Sequence, residues 1–319
     1  MPPPKGPETN STAVERIAAL DYDPSAFVME GPIGCNLCGD DGRPVEVARR
    51  DRYGYAATLV VCGRCGLGYL SPRLSPASYA HFYEHVYRPL VSAYHGRLID
   101  AETVQIDQRG YARLLARFLE PHLDGRPRTI LDVGGSTGVV AAELIVSLGG
   151  RATVLDPSPT ELAVADAAGM ETIAGFAEGF DPHGRQWDLV LLCQTIDHLL
   201  DVTATVAALR AMTADRGRCF VDVLDVELML RRTGHIERCV KIDHPHYLTG
   251  ATARAFFGRS GFTVVAERLS EDGHRGFVLA PGQPTEPDWP ALGIAAASFI
   301  RSVGENPEIS GFSPTISAP

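Results

Sequence analysis

The stretch Ile130–Gly138, ILDVGGSTG, places an acidic residue and then three glycines directly after a short apolar run. Such a run reads as a buried strand, and bare backbone just past a strand end lets the main chain approach a ligand closely. The sequence around it predicts further strands. They fall at TILDVG, ATVLD, ETIAGF, WDLVLLCQ, RCFVDVLD, FTVVAER and GFVLAP, with helical patterns near 138–148, 159–168, 202–213 and 250–259. Strand–helix alternation predicts an α/β fold with a mostly parallel sheet covered on both faces. The last two strands have no helix between them and are expected to form an antiparallel hairpin at a sheet edge.

Two familiar glycine patterns fail here. A dinucleotide fingerprint needs G-x-G-x-x-G, but counting from Gly134 the third and sixth positions are Ser136 and Val139. A P-loop needs Lys and then Ser or Thr after its last glycine, whereas Val139 and Val140 follow Gly138. The order acidic-x-Gly-x-small-x-Gly resembles the first motif of class I S-adenosylmethionine-dependent methyltransferases. That resemblance implies a Rossmann-like seven-stranded methyltransferase sheet and S-adenosylmethionine as cofactor. It implies cofactor contacts from Asp132, Gly134, Gly135, Ser136 and Gly138; serine stands where the family usually has its middle glycine. Asp156, followed by Pro157, ends the next strand, where a carboxylate can accept both ribose hydroxyls. In GFAEGF, Ala177 is placed to frame adenine. In LLCQTIDHLLD the polar turn, acidic-His pair and helix start are usual in that family, and the resemblance implies that Gln194 and Thr195, like Pro157 and Ala177, are cofactor contacts.

Cysteines form a second motif, CNLC (Cys35, Cys38) and CGRC (Cys62, Cys65). Two C-x-x-C hooks can set four thiolates tetrahedrally around one Zn²⁺, and four protein ligands leave no position for catalysis, so the expected ion is structural. A redox motif would need only one pair. Cys193 and Cys219 read as core residues; Cys239 is undecided. The second hook and the residues after it, VCGRCGLGYLSPRLSPASYAHFYEHVYR, resemble the zinc-binding region preceding some bacterial small-molecule methyltransferases. Several of those act on nucleotide-linked deoxysugars or belong to surface-polysaccharide or natural-product pathways. The long C-terminal domain of the sugar C-methyltransferases has no counterpart, which weighs against sugar C-methylation.

The expected organisation is a flexible N-terminus (1–30), a four-cysteine zinc-binding module (31–95), a helical connector (96–126), an S-adenosylmethionine-binding methyltransferase domain (127–281) and a C-terminal extension (282–319). Over 319 residues the net charge is −10, which does not favour nucleic acid as a partner. The longest apolar run, VVAAELIVSLGG, is short and carries Glu143, far from the ~18 residues of a membrane span. The N-terminus lacks the apolar core of a secretory signal. A cytoplasmic protein with a small-molecule substrate and no membrane partner is expected; oligomeric state is not readable.

Methyl transfer to a hydroxyl or activated carbon benefits from a general base, and histidine is the commonest type. His198 follows the fourth strand on the expected cofactor side. His244 and His246 flank Pro245 in a long connection from about Glu227 to Leu248, and long loops often carry function. Both remain candidates. Tyr79, Phe82, Tyr83 and Tyr87 fall on one helical face, read either as core or as a substrate wall. Two other functions stay open: an RNA methyltransferase with a zinc module, and a non-catalytic cofactor-binding protein.

Overall fold

The computed structural model describes residues 10–20, 22–40, 44–99 and 101–304. The first part of the expected flexible N-terminus, 1–9, and the end of the C-terminal extension, 305–319, lie outside the described residues. The rest of the stretch read as flexible is structured in part. Helix α1 (Asn10–Ala18) buries Ile17, its Arg16 Nε donates to Ala93 O at 2.6 Å, and strand β1 (Met29–Glu30) pairs with β5 (Arg73–Leu74).

The first cysteine hook precedes a small antiparallel sheet of β2 (Val45–Arg50), β3 (Ala56–Val61) and β4 (Gly68–Leu70), and the second forms the turn between β3 and β4. Then come α2 (Pro76–His81), a π-helical turn at Phe82–Val86 and α3 (Tyr87–His95). The widened turn shifts the aromatic stripe out of simple helical register. Tyr79 and Phe82 are buried, while Tyr83 and Tyr87 stay half-buried.

Helix α4 (Ala101–Leu119) falls in the stretch expected to be a connector. Its Ala112, Leu115, Ala116 and Leu119 instead pack with Ala141, Leu144 and Leu148 of α5 (Val139–Leu148), so it covers one face of the large sheet. That sheet contains β6 (Thr129–Val133), β7 (Arg151–Asp156), β8 (Glu171–Ala174), β9 (Trp187–Leu192), β10 (Thr213–Leu224), β12 (Phe262–Leu269) and β13 (His274–Pro281). Between them run α6 (Pro159–Ala167), α7 (Val202–Met212), α8 (Val226–Thr233), β11 (His246–Tyr247) and α9 (Gly250–Arg259), with α10 (Trp289–Gly304) at the end.

The strand order is β12-β13-β10-β9-β6-β7-β8. Strands β8, β7, β6, β9 and β10 are parallel, and β13 is antiparallel to both neighbours. The hairpin expected at the edge is present, with β12 outermost. Chain order reverses at β6, which has β7 on one side and β9 on the other. Ligands of open α/β sheets bind beyond the carboxyl ends of the strands at such a reversal.

The 227–248 connection is not a bare loop. It carries α8, and β11 pairs antiparallel with β4 (His246↔Tyr69, Tyr247↔Gly68), adding a strand to the small sheet. Helix α10 packs there too, through Phe299, Ile300 and Val303 against Val47, Leu59 and Val61. Apolar burial therefore crosses the boundaries drawn from sequence. Cys35, Cys62, Cys65 and Leu67 share a cluster with Leu192, Phe257 and Phe277 of the large domain. Among the described residues no helix is long and apolar enough to cross a membrane.

Candidate active site

The glycine loop turns directly at the end of β6. Gly138, at φ 73°, heads α5, and a Cβ there would stand 2.5 Å from Met170 Cε. A Cβ at Gly135 would stand 2.7 Å from Asp132 Cγ, so the main chain runs against that carboxylate. Asp132 is 1% exposed, its Oδ2 has no hydrogen-bond partner, and burial pushes its carboxyl up to about 7. A buried, unpaired carboxylate oxygen is costly unless a ligand completes it.

The neighbouring strand ends converge on this loop. Gly134 N donates to Leu155 O at 2.7 Å, and Gly175 N to Asp156 O at 3.1 Å. Asp156 Oδ2 accepts from Ser136 N and Oδ1 from Ser158 N, each at 2.9 Å. Each oxygen still has acceptor capacity, and burial raises this carboxyl too. Ser136 does more than replace a glycine. It holds φ 51°, and its Oγ donates to Glu161 Oε2 at 2.7 Å, fastening the loop to α6. Pro157 is exposed beside Asp156; Ala177 is buried just after Phe176, which is 66% exposed. Gln194 is exposed at φ 51°, and Thr195 Oγ1 donates to Cys193 O at 2.8 Å. The Thr195 methyl faces Gly134: a Cβ there would stand 2.8 Å from Thr195 Cγ2. The structure thus gathers these sequence-predicted residues at one end of the sheet.

A second polar cluster brings together residues distant in sequence. His198 Nδ1 lies 2.5 Å from Tyr83 Oη, and the Tyr83 hydroxyl donates to Asp243 O at 3.2 Å and Oδ2 at 3.3 Å. His198 and His244 rings meet edge to face at 4.4 Å. Both imidazoles lie near Asp243 Oδ2, His198 Nδ1 at 3.7 Å and His244 Nε2 at 3.8 Å. Lys241 Nζ is 3.1 Å from His244 Nε2. Burial lowers the proton affinity of His198, partly offset by Asp243; burial and then Lys241 hold His244 well below the usual range. His198 remains 26% exposed, and its Nε2 makes no hydrogen bond among the described residues. The ligand atoms of His198, Asp243 and His244 are close enough to hold a cation, but a cation would contend with Lys241 for His244 Nε2.

His246, the other candidate base, sits in β11 at 1% exposure with Nε2 3.3 Å from Leu200 O, and burial drops its pKa to about 4. Sequence reasoning does not single out Asp243 or Lys241, although both stand in the run KIDHPHY. Tyr83 stands out in sequence only for its ring; nothing in a helical stripe tells where one hydroxyl points.

The four cysteine sulfurs also converge. All lie within 4.8 Å of one another, with Cys35–Cys65 at 3.4 Å and Cys38–Cys62 at 3.6 Å. A tetrahedron of thiolates about zinc has edges of roughly 3.8 Å, given Zn–S near ~2.3 Å. After each hook the chain turns back through a left-handed glycine: Gly39 N donates to Cys35 O at 2.9 Å and Gly66 N to Cys62 O at 2.8 Å. Hydrogen bonding from Cys35 and Cys65 pulls the Cys62 thiol far down, and those two thiols rise. The donor set and its geometry are compatible with zinc.

The methyltransferase-domain family model matches residues 104–267, about half of the chain, and the chain belongs to that family. Over 105 residues it is 30% identical to a ubiquinone biosynthesis O-methyltransferase of Methylobacterium sp. (strain 4-46), and over 107 residues 29% identical to the corresponding protein of Methylobacterium nodulans. Each match covers 30% of this chain and 41% of the relative, so the chain spans about two fifths of the length of these curated relatives. Among solved structures it is similar to the 1,6-didemethyltoxoflavin-N1-methyltransferase of Burkholderia thailandensis, determined with 1,6-didemethyltoxoflavin and S-adenosylhomocysteine bound. That similarity has TM-score 0.48 and 18% identity over 72% of this chain and 96% of that one. The magnesium protoporphyrin IX methyltransferase of Synechocystis PCC 6803 gives TM-score 0.45 and 13% identity, over 58% and 89%.

Proposed function

We propose that this protein transfers the methyl group of S-adenosylmethionine to a small-molecule acceptor, with a structural zinc ion held by Cys35, Cys38, Cys62 and Cys65. One observation carries the reading. The unpartnered Asp132 Oδ2 is buried at the point where strand order reverses, with a glycine loop running against it. The family membership agrees with it. The acidic balance of the chain supports a small metabolite over RNA, and the zinc-module resemblance points to a nucleotide-linked sugar or natural-product intermediate.

In this reading Gly134, Gly135, Ser136 and Gly138 offer main chain to the cofactor, and Asp132 lies near its cationic end. Asp156 uses its spare lone pairs for the ribose hydroxyls, beside Pro157. Phe176 and Ala177 border the adenine, while Gln194 and Thr195 close the side toward the acceptor. The cofactor supplies a sulfonium-activated methyl carbon for in-line displacement; the protein must hold the acceptor aligned within ~3–3.5 Å of it.

His198 is the base. Tyr83 Oη lies within reach of His198 Nδ1, Asp243 O and Asp243 Oδ2; this reading gives its one proton to Asp243, and the ring proton then stays on His198 Nδ1. With that tautomer Nε2 carries the ring's lone pair, on an imidazole that is 26% exposed. Asp243, Tyr83 and His198 then form a relay that stabilises the imidazolium once it takes the acceptor's proton. His244, kept neutral beside Lys241, braces that ring; His246 braces the loop at Leu200.

Calorimetry with S-adenosylmethionine and S-adenosylhomocysteine is the primary test. Both should bind; failure of both ends the proposal. RNA affinity that drops steeply with salt would instead favour a nucleic-acid substrate.

A further inference from the structure

The loop that carries His198 is held by the large sheet at Ile196, buried in its core, and at Asp197, whose Oδ2 accepts from Leu224 N of β10 at 3.4 Å; its far end is held from outside that sheet. Helix α7 begins at Asp201, whose side chain caps Ala204 N at 2.9 Å. A helix start leaves several amides without internal partners, and one of these finds its acceptor in the cysteine hook. Asn36, inside the first cysteine hook between Cys35 and Cys38, accepts from Thr203 N on Oδ1 at 2.9 Å. Its Nδ2 donates to Asp201 Oδ1 at 3.0 Å, and its carbonyl accepts from Thr203 Oγ1 at 2.6 Å.

Two further contacts fall on the same loop. Leu200 O accepts from Arg73 Nη1 at 2.9 Å and faces His246 Nε2 at 3.3 Å. Arg73 is itself fixed by Glu30 at 2.8 Å. Tyr83 Oη reaches the same loop at His198 Nδ1. Asn36, Arg73 and Tyr83 all precede the matched family span, and His246 lies in the strand that joins the small sheet. By contrast, the glycine loop is tied to its own neighbours, β7 and α6.

The geometry points to the cysteine module as a clamp that positions the base: Asn36 transmits the state of the four-cysteine site to the start of α7 and through it to His198. This rests on the reading of His198 as base and of the cysteines as a zinc site. The hook has its Asn36 side chain presented correctly only while Cys35 and Cys38 are drawn together. Asn36 is a positioning residue; its bonds fall on Asp201 and Thr203, at the end of the loop away from Thr195 and the glycine turn.

Hydrogen–deuterium exchange on the full chain tests this without a methyl acceptor. In Asn36→Ala, with zinc content unchanged, the Thr203 amide should exchange roughly tenfold faster, the scale of one lost hydrogen bond. Exchange at 132–138 and affinity for S-adenosylhomocysteine should stay as in the wild type. In ¹⁵N-histidine spectra the His198 ring, assigned with His198→Gln, should lose its single Nδ1-protonated signature and show mixed tautomers. Thr203→Val cuts the same clasp from the other side without touching the cysteine hook, and should shift the His198 signals in the same direction. Mild chelation of the wild type should reproduce the exchange pattern.

Unchanged Thr203 exchange in Asn36→Ala and an unchanged His198 spectrum in both variants would overturn the clamp. So would loosening of 132–138 in step with Thr203, which would mean general destabilisation. If purified protein lacks stoichiometric zinc, the metal link fails while the Asn36 contact is still tested by the two variants. If neither cofactor form binds, the functional reading fails, and the exchange data still decide the clamp.

Discussion

The two polar groups of the proposed site are built in opposite ways. In the group proposed for the cofactor, Asp132, the glycine loop and Asp156 lie within one strand–helix–strand step, and their bonds are mostly main chain to main chain or main chain to carboxylate. In the group proposed for the acceptor, Tyr83, His198 and Asp243 come from three distant segments and meet through side chains. Main-chain sites depend on local turns and tolerate neighbours. Side-chain relays depend on every element that carries a member, here the π-turn before α3, the loop after β9 and the segment before β11. Damage to the module should therefore be felt in turnover before it is felt in cofactor binding.

The largest effect should follow loss of the base. His198→Gln is expected to cut turnover by about 10²–10⁴-fold while S-adenosylhomocysteine binds as before; equal losses in both would erase the division between the two groups. Tyr83→Phe comes next. Its ring keeps its place beside Tyr79 and Tyr87, yet the bridge to Asp243 is gone, and turnover should fall roughly ten- to a hundredfold. With burial holding His198 below its ordinary value, wild-type turnover should rise along an acid limb under about pH 6.5 and level off above it. Tyr83→Phe should move that limb; a pH profile identical to wild type would remove Tyr83 from the relay.

Asp132→Asn probes the other group. Only the ionised carboxylate attracts a cationic ligand, and the free group titrates at about 7. Affinity should thus climb between about pH 6 and 8, with proton release on binding. In the variant affinity should be about tenfold lower and flat with pH; a slope surviving the substitution points to another group. The same shift has a stability consequence. A carboxyl raised in the folded state contributes stability that is full below its unfolded pKa and lost as pH rises through about 7. Asp132, Asp51 and Asp197 all behave this way, chiefly through burial, so the ligand-free protein should melt lower at about pH 8 than at about pH 6. Ser136→Gly should have the smallest effect. It relieves a left-handed serine but loses the bond to Glu161, and the net change should stay under about 1 kcal/mol. A larger loss of cofactor affinity would show that the Ser136 hydroxyl organises the loop.

Strands, helices and the edge hairpin of the large domain are legible in sequence because period-2 and period-3.6 patterns are local, and a glycine loop is written in consecutive residues. The segment 227–248 reads as a loop because α8 is short and its burial comes from the small sheet. Helix α4 reads as a connector because sequence gives its apolar stripe but not the surface that the stripe covers. His246 and His198 look equivalent on paper. Only burial distinguishes them, with one ring enclosed on Leu200 O and the other left a quarter exposed.

By itself, then, the sequence determined the sheet, the glycine turn beside Asp132 and the tetrad of thiols. Each depends on a spacing of at most a few tens of residues. Tertiary structure decided which imidazole stays a quarter exposed, that Asp243 stands beside it and that Asn36 of the cysteine hook caps α7. Those facts depend on side-chain direction and on burial between segments far apart in the chain, and no local pattern encodes either.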